Sequence, residues 1–346
     1  MMKCYDVAVI GALGLVGTEL LYTLEQRNFP VRKIRALDKK EFEGSPIQFR
    51  GKIYYTETAN AENFEGVDIA IFSVGAEAAK ELVPLAVEKG AIAIDNSRYF
   101  RLDPEVPLVC PEANPHDLEW HNGIIANPNC TTLVCIPVFK PIYDLSRIVR
   151  IVASTYQSAS GGARRGMLEV KKQALEVATG AKVTPPSVFP YQLAFNLIPF
   201  IDVFEKAGYT REEWKLVNET RKILGDPGIR ITDTAVRVPV LICHSVSANI
   251  ETESKLTTEE VREALEVAPG VTVVDDIENL RFPQPIKAAG KDDIYVGRIR
   301  EDFSTENGIS LFLTGDNVRK GAALNAVQIA EILVEKGHVE EWQSKR

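Results

Sequence analysis

No apolar run in the 346-residue sequence is long enough to cross a bilayer, and the chain has only five cysteines and four histidines. The cysteines are odd in number and form neither a CxxC pair nor a cluster with histidine. These absences argue against a membrane protein, a disulfide framework and a metal site such as structural zinc. A basic excess is also missing. The net charge of −8 argues against non-specific binding to nucleic acid or to anionic membranes.

The N-terminus has no signal-peptide pattern, since it leads directly into a strand-like segment. Together with the unpaired cysteines, this predicts a protein of the reducing cytoplasm. The composition, 45% hydrophobic and 25% charged, is ordinary for a globular protein. The length suits two domains better than one core.

A glycine-rich turn stands between a strand-like and a helix-like segment near the N-terminus. Residues 5–10 are rich in β-branched side chains, and apolar residues at helical spacing follow from Thr18. Between them, Gly11, Gly14 and Gly17 would let the backbone turn tightly and approach a pyrophosphate at the helix N-terminus. This context favours a dinucleotide-binding turn over a merely tight one.

The end of the second predicted strand carries two opposite indications about the cofactor. Asp38 could accept hydrogen bonds from the ribose hydroxyls, which favours NAD. Lys39 and Lys40 could hold a 2′-phosphate, which favours NADP. The three charges could also be solvated in a turn, so these residues leave the choice of cofactor open.

Strands and helices alternate through the first part of the chain, which predicts a mostly parallel, doubly wound sheet. Strands are expected at residues 67–74 and 91–94, with a helix between them. Arg98 follows the second of these strands and would lie on the same sheet edge as the glycine turn. A guanidinium there suits a phosphate or a carboxylate, although a surface arginine fits the position equally well.

Cys130 lies in a strand-to-helix turn, Asn127-Pro-Asn-Cys-Thr-Thr132. Asn129 is a suitable N-cap residue, so Cys130 would face unpaired backbone N–H groups and the positive end of the helix dipole. That environment favours the thiolate and could hold an oxyanion beside the sulfur. The turn alone is also compatible with a small buried cysteine.

Further polar residues in the second half could bind a small charged substrate. Gln157 ends a predicted strand, where its amide could orient a carbonyl or cap a turn. Glu219 and Lys222 share one face of a helix, either as a surface ion pair or as an anion and a cation for a zwitterionic, phosphorylated ligand.

Arg237 and His244 lie in one strand-like run, seven residues apart. In a single regular strand they would point to opposite faces, so a shared site requires a break, for which Pro239 is the candidate. A lone histidine in an apolar run is also commonly a core residue. Residues 316–333 are expected to form one long helix.

Seven separated motifs together resemble the aspartate-semialdehyde dehydrogenases along the whole chain. They are Gly11-Ala-Leu-Gly-Leu-Val-Gly17, Asp95-Asn-Ser-Arg98, Asn127-Pro-Asn-Cys-Thr-Thr132, Ser154-Thr-Tyr-Gln-Ser-Ala-Ser-Gly161, Asn218-Glu-Thr-Arg-Lys222, Arg237-Val-Pro-Val-Leu-Ile-Cys-His-Ser245 and Gly315-Asp-Asn-Val-Arg-Lys-Gly-Ala-Ala-Leu-Asn-Ala326. Their joint order and spacing are far more specific than any one motif.

The resemblance implies a role for each matching residue. Cys130 would be the nucleophile, His244 the general acid/base, and Gln157 would orient the acyl intermediate. The implied substrate-binding residues are Arg98 and Lys222 for phosphate, Arg237 for the α-carboxylate, Glu219 for the amino group, and Asn129. The implied cofactor-binding residues are Gly11, Gly14, Leu15, Val16, Gly17, Lys39, Lys40, Ser73, Ser160, Gly161 and Asn325.

The resemblance also implies an architecture and a reaction. A Rossmann-like dinucleotide domain, residues 1–127 with 317–346, would accompany an α+β catalytic and dimerisation domain, 128–316, with a mixed or antiparallel sheet. The protein would be a homodimer or homotetramer. It would be an NADP-dependent phosphorylating aldehyde dehydrogenase, with NAD as the alternative cofactor, in lysine, threonine, methionine and diaminopimelate biosynthesis. The thiolate of Cys130 would attack L-4-aspartyl phosphate, phosphate would leave, and hydride from NADPH would reduce the thioester to L-aspartate 4-semialdehyde.

Three positions differ from the family pattern. The family usually has Thr where this chain has Leu13, an Arg-Ser pair where it has Lys39-Lys40, and Cys where it has Ala235.

Two other functions are alternatives. An N-acetyl-glutamyl-phosphate reductase would run the same chemistry on an acylated substrate, whose capped amine needs no partner such as Glu219. A catalytically silent dinucleotide-binding paralogue would not require the cysteine, glutamine, histidine and arginines together.

Overall fold

A computed structural model, which describes residues 3–345, divides the chain into two compact units. The terminal unit runs up to Asn129 and resumes at Ala322, and the central unit is Cys130–Gly321. Each unit has its own sheet and its own apolar core. Residues 317–321, which were expected in the dinucleotide domain, lie in the central unit.

The terminal unit is built on six parallel strands, ordered β5-β2-β1-β6-β7-β8. The strands of this unit, including the separate β3–β4 hairpin, are β1 Tyr5–Ile10, β2 Val31–Asp38, β3 Pro46–Phe49, β4 Lys52–Tyr55, β5 Glu57–Thr58, β6 Ile69–Phe72, β7 Ile92–Asp95 and β8 Ile124–Ala126. The strand order reverses between β1 and β6, which is where doubly wound sheets bind ligands. The predicted doubly wound sheet is confirmed.

Helix α1, Leu15–Gln26, follows the glycine turn, and α2, Ala76–Glu88, follows β6. Helix α1 begins three residues before the expected start at Thr18 and includes Gly17 in its first turn. A Cβ on Gly17 would lie 2.0 Å from the carbonyl oxygen of Gly11, so only glycine permits this close approach of helix to turn.

The central unit is built on a mixed six-stranded sheet, ordered β10-β9-β11-β14-β13-β12. Its strands are β9 Ile148–Gln157, β10 Arg230–Arg237, β11 His244–Thr252, β12 Val271–Val273, β13 Ile294–Asp302 and β14 Gly308–Gly315. Its helices are α3 Cys130–Leu145, α4 Ala163–Ala178, α5 Arg211–Ile223, α6 Thr258–Glu266 and α7 Pro285–Ala288. Strands β9 and β10 run parallel, whereas β11 is antiparallel to both of its neighbours, β9 and β14. The predicted mixed sheet is confirmed.

The last helices, α8 Leu324–Glu335 and α9 His338–Ser344, belong to the terminal unit. The expectation of one α-helix over residues 316–333 is wrong in its first part. The carboxylate of Asp316 accepts the backbone N–H groups of Val318 and Arg319, and a π-helical turn, Arg319–Ala323, precedes α8. Side-chain capping and the wider turn therefore replace the regular α-helical pattern there.

Two structural features are absent from residues 3–345. No helix in this part of the chain is long and apolar enough to span a membrane. The same residues contain no group of three or more His, Cys, Asp or Glu side chains that could hold a metal ion.

Candidate active site

Cys130 is the first residue of the sixteen-residue helix α3. Its Sγ lies 3.3 Å from His244 Nε2, and the side chain is partly exposed, whereas Cys110, Cys135 and Cys243 are buried. A helix N-terminus favours negative charge and offers unpaired N–H groups. The sulfur thus has a proton-exchanging partner and an environment suited to a thiolate.

His244, the first residue of β11, is held in one tautomer. The backbone N–H of Ser158 donates to its Nδ1 at 3.1 Å, so a neutral ring carries its hydrogen on Nε2, the atom facing the sulfur. Burial, followed by the positive charge of Arg237, lowers the pKa of His244 from 6.5 to about 3. The ring is therefore neutral near pH 7 and can donate to a Cys130 thiolate.

The backbone just before His244 is strained and is held in place by hydrogen bonds. Cys243 has φ of +80°, a left-handed value that costs a residue with a side chain on the order of 1–3 kcal/mol. Asn317 Oδ1 accepts the N–H of Cys243 at 2.9 Å and the hydroxyls of Ser158 and Ser160. Ser160, which was expected to bind the cofactor, therefore belongs to the hydrogen-bond network that positions His244.

The break required between Arg237 and His244 is confirmed. Strand β10 ends at Arg237, and β11 starts at His244 after a loop that contains Pro239. Because β10 runs parallel to β9 and β11 runs antiparallel to it, the end of β10 and the start of β11 meet at the same end of β9. Gln157, Arg237 and His244 therefore converge at one sheet edge.

Arg237 and Gln157 each direct a buried polar group into this area. Arg237 Nη1 donates to the carbonyl of Ser158 at 2.7 Å, and the side chain lines a cavity of about 510 Å³ with Gly161 and Phe189. A Cβ on Gly161 would lie 2.4 Å from that Nη1, so glycine leaves room for the guanidinium. The amide nitrogen of Gln157 is buried with no hydrogen-bond partner among the described residues. An unsatisfied buried donor at this edge is suited to a ligand oxygen.

Glu212 and Lys215 supply a charge pair that sequence reasoning missed. Thr210 caps α5 in a reciprocal capping box, which puts Glu212 in the first helical turn. Glu212 is buried, and Lys215 Nζ lies 2.7 Å from its carboxylate. Burial alone raises the pKa of Glu212, but Lys215, then Arg237 and His244, bring it down to about 2. Glu212 is therefore an ionised carboxylate whose charge acts on both Arg237 and His244.

The expected pair, Glu219 and Lys222, lies two helical turns further along α5. Glu219 is buried and Lys222 is half-buried. Because 212, 215, 219 and 222 repeat at heptad spacing, all four residues share one face of the helix. The i,i+3 pattern that singled out Glu219 and Lys222 occurs equally at Glu212 and Lys215, and only the packing of α5 distinguishes the two pairs.

The terminal unit contains a cavity of about 660 Å³ at the carboxyl ends of β1, β2 and β6. Five expected cofactor residues line it: Gly11, Gly14, Lys39, Lys40 and Ser73. Leu15, Val16 and Gly17 instead form the first turn of α1. The volume, the glycine turn and the helix N-terminus fit a dinucleotide.

Three further expected residues lie elsewhere in the terminal unit. Arg98 is exposed just beyond β7, on the sheet edge that carries the glycine turn. Asn129 is buried directly before Cys130. Asn325, expected to contact cofactor, is fully buried and donates its amide to Val109 O and to Asn127 Oδ1. The structure thus gives Asn325 a bracing contact with the turn before Cys130.

The low pKa of His244 predicts a loss of folding stability in mild acid. The unfolded residue titrates at 6.5 and the folded one at about 3, so below pH 6.5 the unfolded state binds a proton that the folded state does not. Stability is complete above pH 6.5 and falls by roughly 1.4 kcal/mol per pH unit toward pH 3. Urea unfolding at pH 8 and pH 5 should therefore show the His244→Asn variant losing about 2 kcal/mol less than the unmodified protein. An equal loss in both proteins would contradict a buried neutral ring.

Comparisons with known proteins agree with this arrangement. Residues 6–121 match the family model described as "Semialdehyde dehydrogenase, NAD binding domain", and residues 139–320 match "Semialdehyde dehydrogenase, dimerisation domain". The aspartate-semialdehyde dehydrogenase of Aquifex aeolicus is 47% identical, over 96% of this chain and 99% of that protein. The one from Synechocystis is 46% identical, over 96% and 98%. A crystal structure of aspartate semialdehyde dehydrogenase II from Vibrio cholerae, complexed with ASA, is 41% identical with a TM-score of 0.93, over 96% and 99%.

Proposed function

The chain belongs to the semialdehyde dehydrogenase family, and on that premise we propose that it reduces L-4-aspartyl phosphate to L-aspartate 4-semialdehyde. The cofactor is NADP, and phosphate is the second product. The observation that carries the proposal is the Cys130 Sγ to His244 Nε2 contact of 3.3 Å, with Arg237 and Glu212 acting on the same histidine. A nucleophile, a proton-exchanging ring and charges of both signs suit a small phosphorylated amino acid.

The reaction divides into acylation and reduction. The Cys130 thiolate attacks the acyl carbon, a C–S bond forms and the C–O bond to phosphate breaks, which leaves a thioester. The glycine turn with Lys39 and Lys40 would hold NADPH, which would supply the hydride for reduction of this thioester. The resulting oxyanion re-forms a carbonyl as the C–S bond breaks, so the aldehyde leaves and the thiolate is restored.

The residues of the chain hold the reacting groups in both steps. The unsatisfied amide of Gln157 and the first N–H groups of α3 are donors for the acyl oxygen, where negative charge develops. His244 donates from Nε2 to the thiolate and exchanges protons with the group on sulfur. Arg237 is the partner for the α-carboxylate. Arg98 remains the candidate for phosphate that the family resemblance suggests.

We assign the substrate amine and phosphate contacts of α5 to Glu212 and Lys215 in place of Glu219 and Lys222. Glu212→Gln is expected to raise the KM for the semialdehyde at least about tenfold, because it removes a buried charge that would pair with the ammonium group. Lys215→Ala should raise the KM for phosphate by a similar factor. Steady-state kinetics in the phosphorylating direction, with each substrate varied in turn, measure both effects.

Glu219→Gln and Lys222→Ala are matched controls on the same helix face. They should change these constants by less than about threefold if they lie outside the substrate site. If the losses follow Glu219 and Lys222, with Glu212 and Lys215 variants near normal, the revised assignment is wrong.

The substrate assay separates the proposal from its enzyme rival. Phosphate-dependent reduction of NADP should occur with L-aspartate 4-semialdehyde and not with N-acetyl-glutamate semialdehyde. The buried Glu212 supports this choice, since an ionised carboxylate suits a free ammonium group and a capped amine does not require it. Turnover only with the acylated substrate would contradict the proposal and favour the N-acetyl-glutamyl-phosphate reductase. No turnover with either substrate would favour a catalytically silent paralogue.

We further propose that the protein is a homodimer or homotetramer working in the cytoplasm, in the synthesis of amino acids derived from aspartate. The match of residues 139–320 to a dimerisation domain supports the oligomer. The five free cysteines are in keeping with a reducing compartment. Light scattering on the purified protein would give the subunit number.

A further inference from the structure

Asp38 stands at the carboxyl end of β2 and lines the cavity of the terminal unit. Its carboxylate is held on both oxygens. The backbone N–H of Leu13, in the glycine turn, donates to Oδ2 at 3.1 Å, and the N–H of Lys39 donates to Oδ1 at 2.9 Å. Two bonds from backbone donors fix the position of the negative charge, because neither donor can rotate away as a flexible side chain would.

A fixed carboxylate at this place distinguishes between the two nicotinamide cofactors. In doubly wound dinucleotide domains, the acidic group at the end of the second strand accepts hydrogen bonds from the adenosine ribose. A 2′-hydroxyl can donate to it. A 2′-phosphate cannot donate once ionised, and it brings negative charge against a carboxylate.

The other charges of the cavity offset this discrimination, so that NADP can also bind. Lys39 and Lys40 also line the cavity and can neutralise a 2′-phosphate, while Glu81 adds a second carboxylate. The charged lining thus holds two cations and two anions. Both lysine side chains are exposed, whereas Asp38 is half-buried and anchored. Exposed ammonium groups are hydrated and screened by salt, so their attraction for phosphate is weaker than their number suggests.

We propose that Asp38 makes this protein use NAD as well as NADP, and that Asp38 is the residue that sets the ratio between them. The proposal rests on the proposed function for the reaction itself, but the binding of either dinucleotide does not depend on it. Lys39 and Lys40 bind the 2′-phosphate of NADP, and Asp38 accepts hydrogen bonds from the ribose hydroxyls of NAD.

Isothermal titration of NAD and NADP in the absence of substrate tests the proposal directly, and kcat/KM for both cofactors in the semialdehyde assay gives a second readout. The two Kd values of the unmodified protein should lie within about tenfold of each other. Asp38→Asn should weaken NAD and strengthen NADP, shifting the Kd ratio toward NADP by at least about tenfold. Asp38→Ser, which replaces the two anchored carboxylate oxygens with one uncharged hydroxyl on a shorter side chain, should shift the ratio in the same direction.

Two control variants test whether the shift in the Kd ratio is specific to Asp38. Glu81→Gln removes the other carboxylate of the same cavity and should leave the ratio unchanged, because Glu81 is not held at the end of β2. The double variant Lys39→Ala, Lys40→Ala should weaken NADP and leave NAD unaffected.

A preference for either cofactor beyond about tenfold in the unmodified protein, or an unchanged ratio in Asp38→Asn, would overturn the inference. Failure of the proposed reaction would look different. The titrations would still give Kd values and their shift, while neither semialdehyde would be oxidised.

Discussion

Cys130→Ala is expected to reduce turnover by about five orders of magnitude or more, the scale seen when a catalytic nucleophile is removed. Cys135 and Cys243, the other thiols of the central unit, cannot substitute, because both are buried and burial raises the pKa of each thiol. The binding of NADP should be unchanged, since Cys130 is not among the residues that line the cavity beside the glycine turn. Phosphate-dependent reduction of NADP measures the first effect and calorimetric titration the second.

Chemical labelling gives an independent check on the same residue. Iodoacetamide should modify Cys130 faster than the exposed Cys4, because the helix N-terminus and His244 favour the thiolate at Cys130. Peptide mass spectrometry after short exposure orders the five thiols by rate. Equal labelling of Cys4 and Cys130, or turnover of the Cys130→Ala variant near the unmodified rate, would refute the assignment.

His244→Asn should lower kcat by about 10²- to 10⁴-fold with a much smaller change in KM, since general acid/base groups contribute on this scale. The loss follows from removing the Nε2 hydrogen that faces Cys130 Sγ at 3.3 Å. The variant should also need a higher pH to reach half-maximal iodoacetamide labelling of Cys130. A residue with only a packing role would lower the amount of folded protein but would not shift that midpoint.

His121→Gln is a control for histidine removal as such. Burial, followed by the charge of His338, lowers the pKa of His121 to about 4, so both histidines are neutral near pH 7. His121 lies in the terminal unit beside Trp342 and should leave both kcat and the labelling midpoint unchanged. A similar loss of kcat in both variants would remove the special role given to His244.

Local patterns predicted most of the fold because they are set by neighbouring residues. A β-branched run, three glycines and a helical repeat follow one another between Tyr5 and Gln26. The strand has the expected bounds, and the helix begins three residues before its expected start. Cys130 at a helix start is likewise a local feature. The helix expected from Asp316 was partly wrong, because the periodicity of apolar residues does not reveal that the Asp316 carboxylate caps two N–H groups.

Patterns that repeat along one element could not be ranked from the sequence. On α5 the Glu–Lys spacing occurs at Glu212 and again at Glu219, and spacing alone gives both the same standing. Which pair acts on Arg237 and His244 depends on how α5 packs in the central unit. Asn325 is ambiguous for a similar reason, since a polar residue in an apolar helix can contact a ligand or brace a buried turn, and only the structure shows its bond to Asn127.

By itself, the amino-acid order determined that a glycine turn follows a buried strand, that Cys130 opens a helix, and that the chain resembles one enzyme family. Tertiary structure alone decided that Gln157, Arg237 and His244 share one end of β9, because that depends on a parallel and an antiparallel neighbour meeting there. It also decided that a backbone N–H occupies Nδ1 of His244 and so directs the Nε2 hydrogen toward the sulfur. Helix and strand periodicities act over a few residues, whereas the donor to Nδ1 comes from a position 86 residues away in the chain.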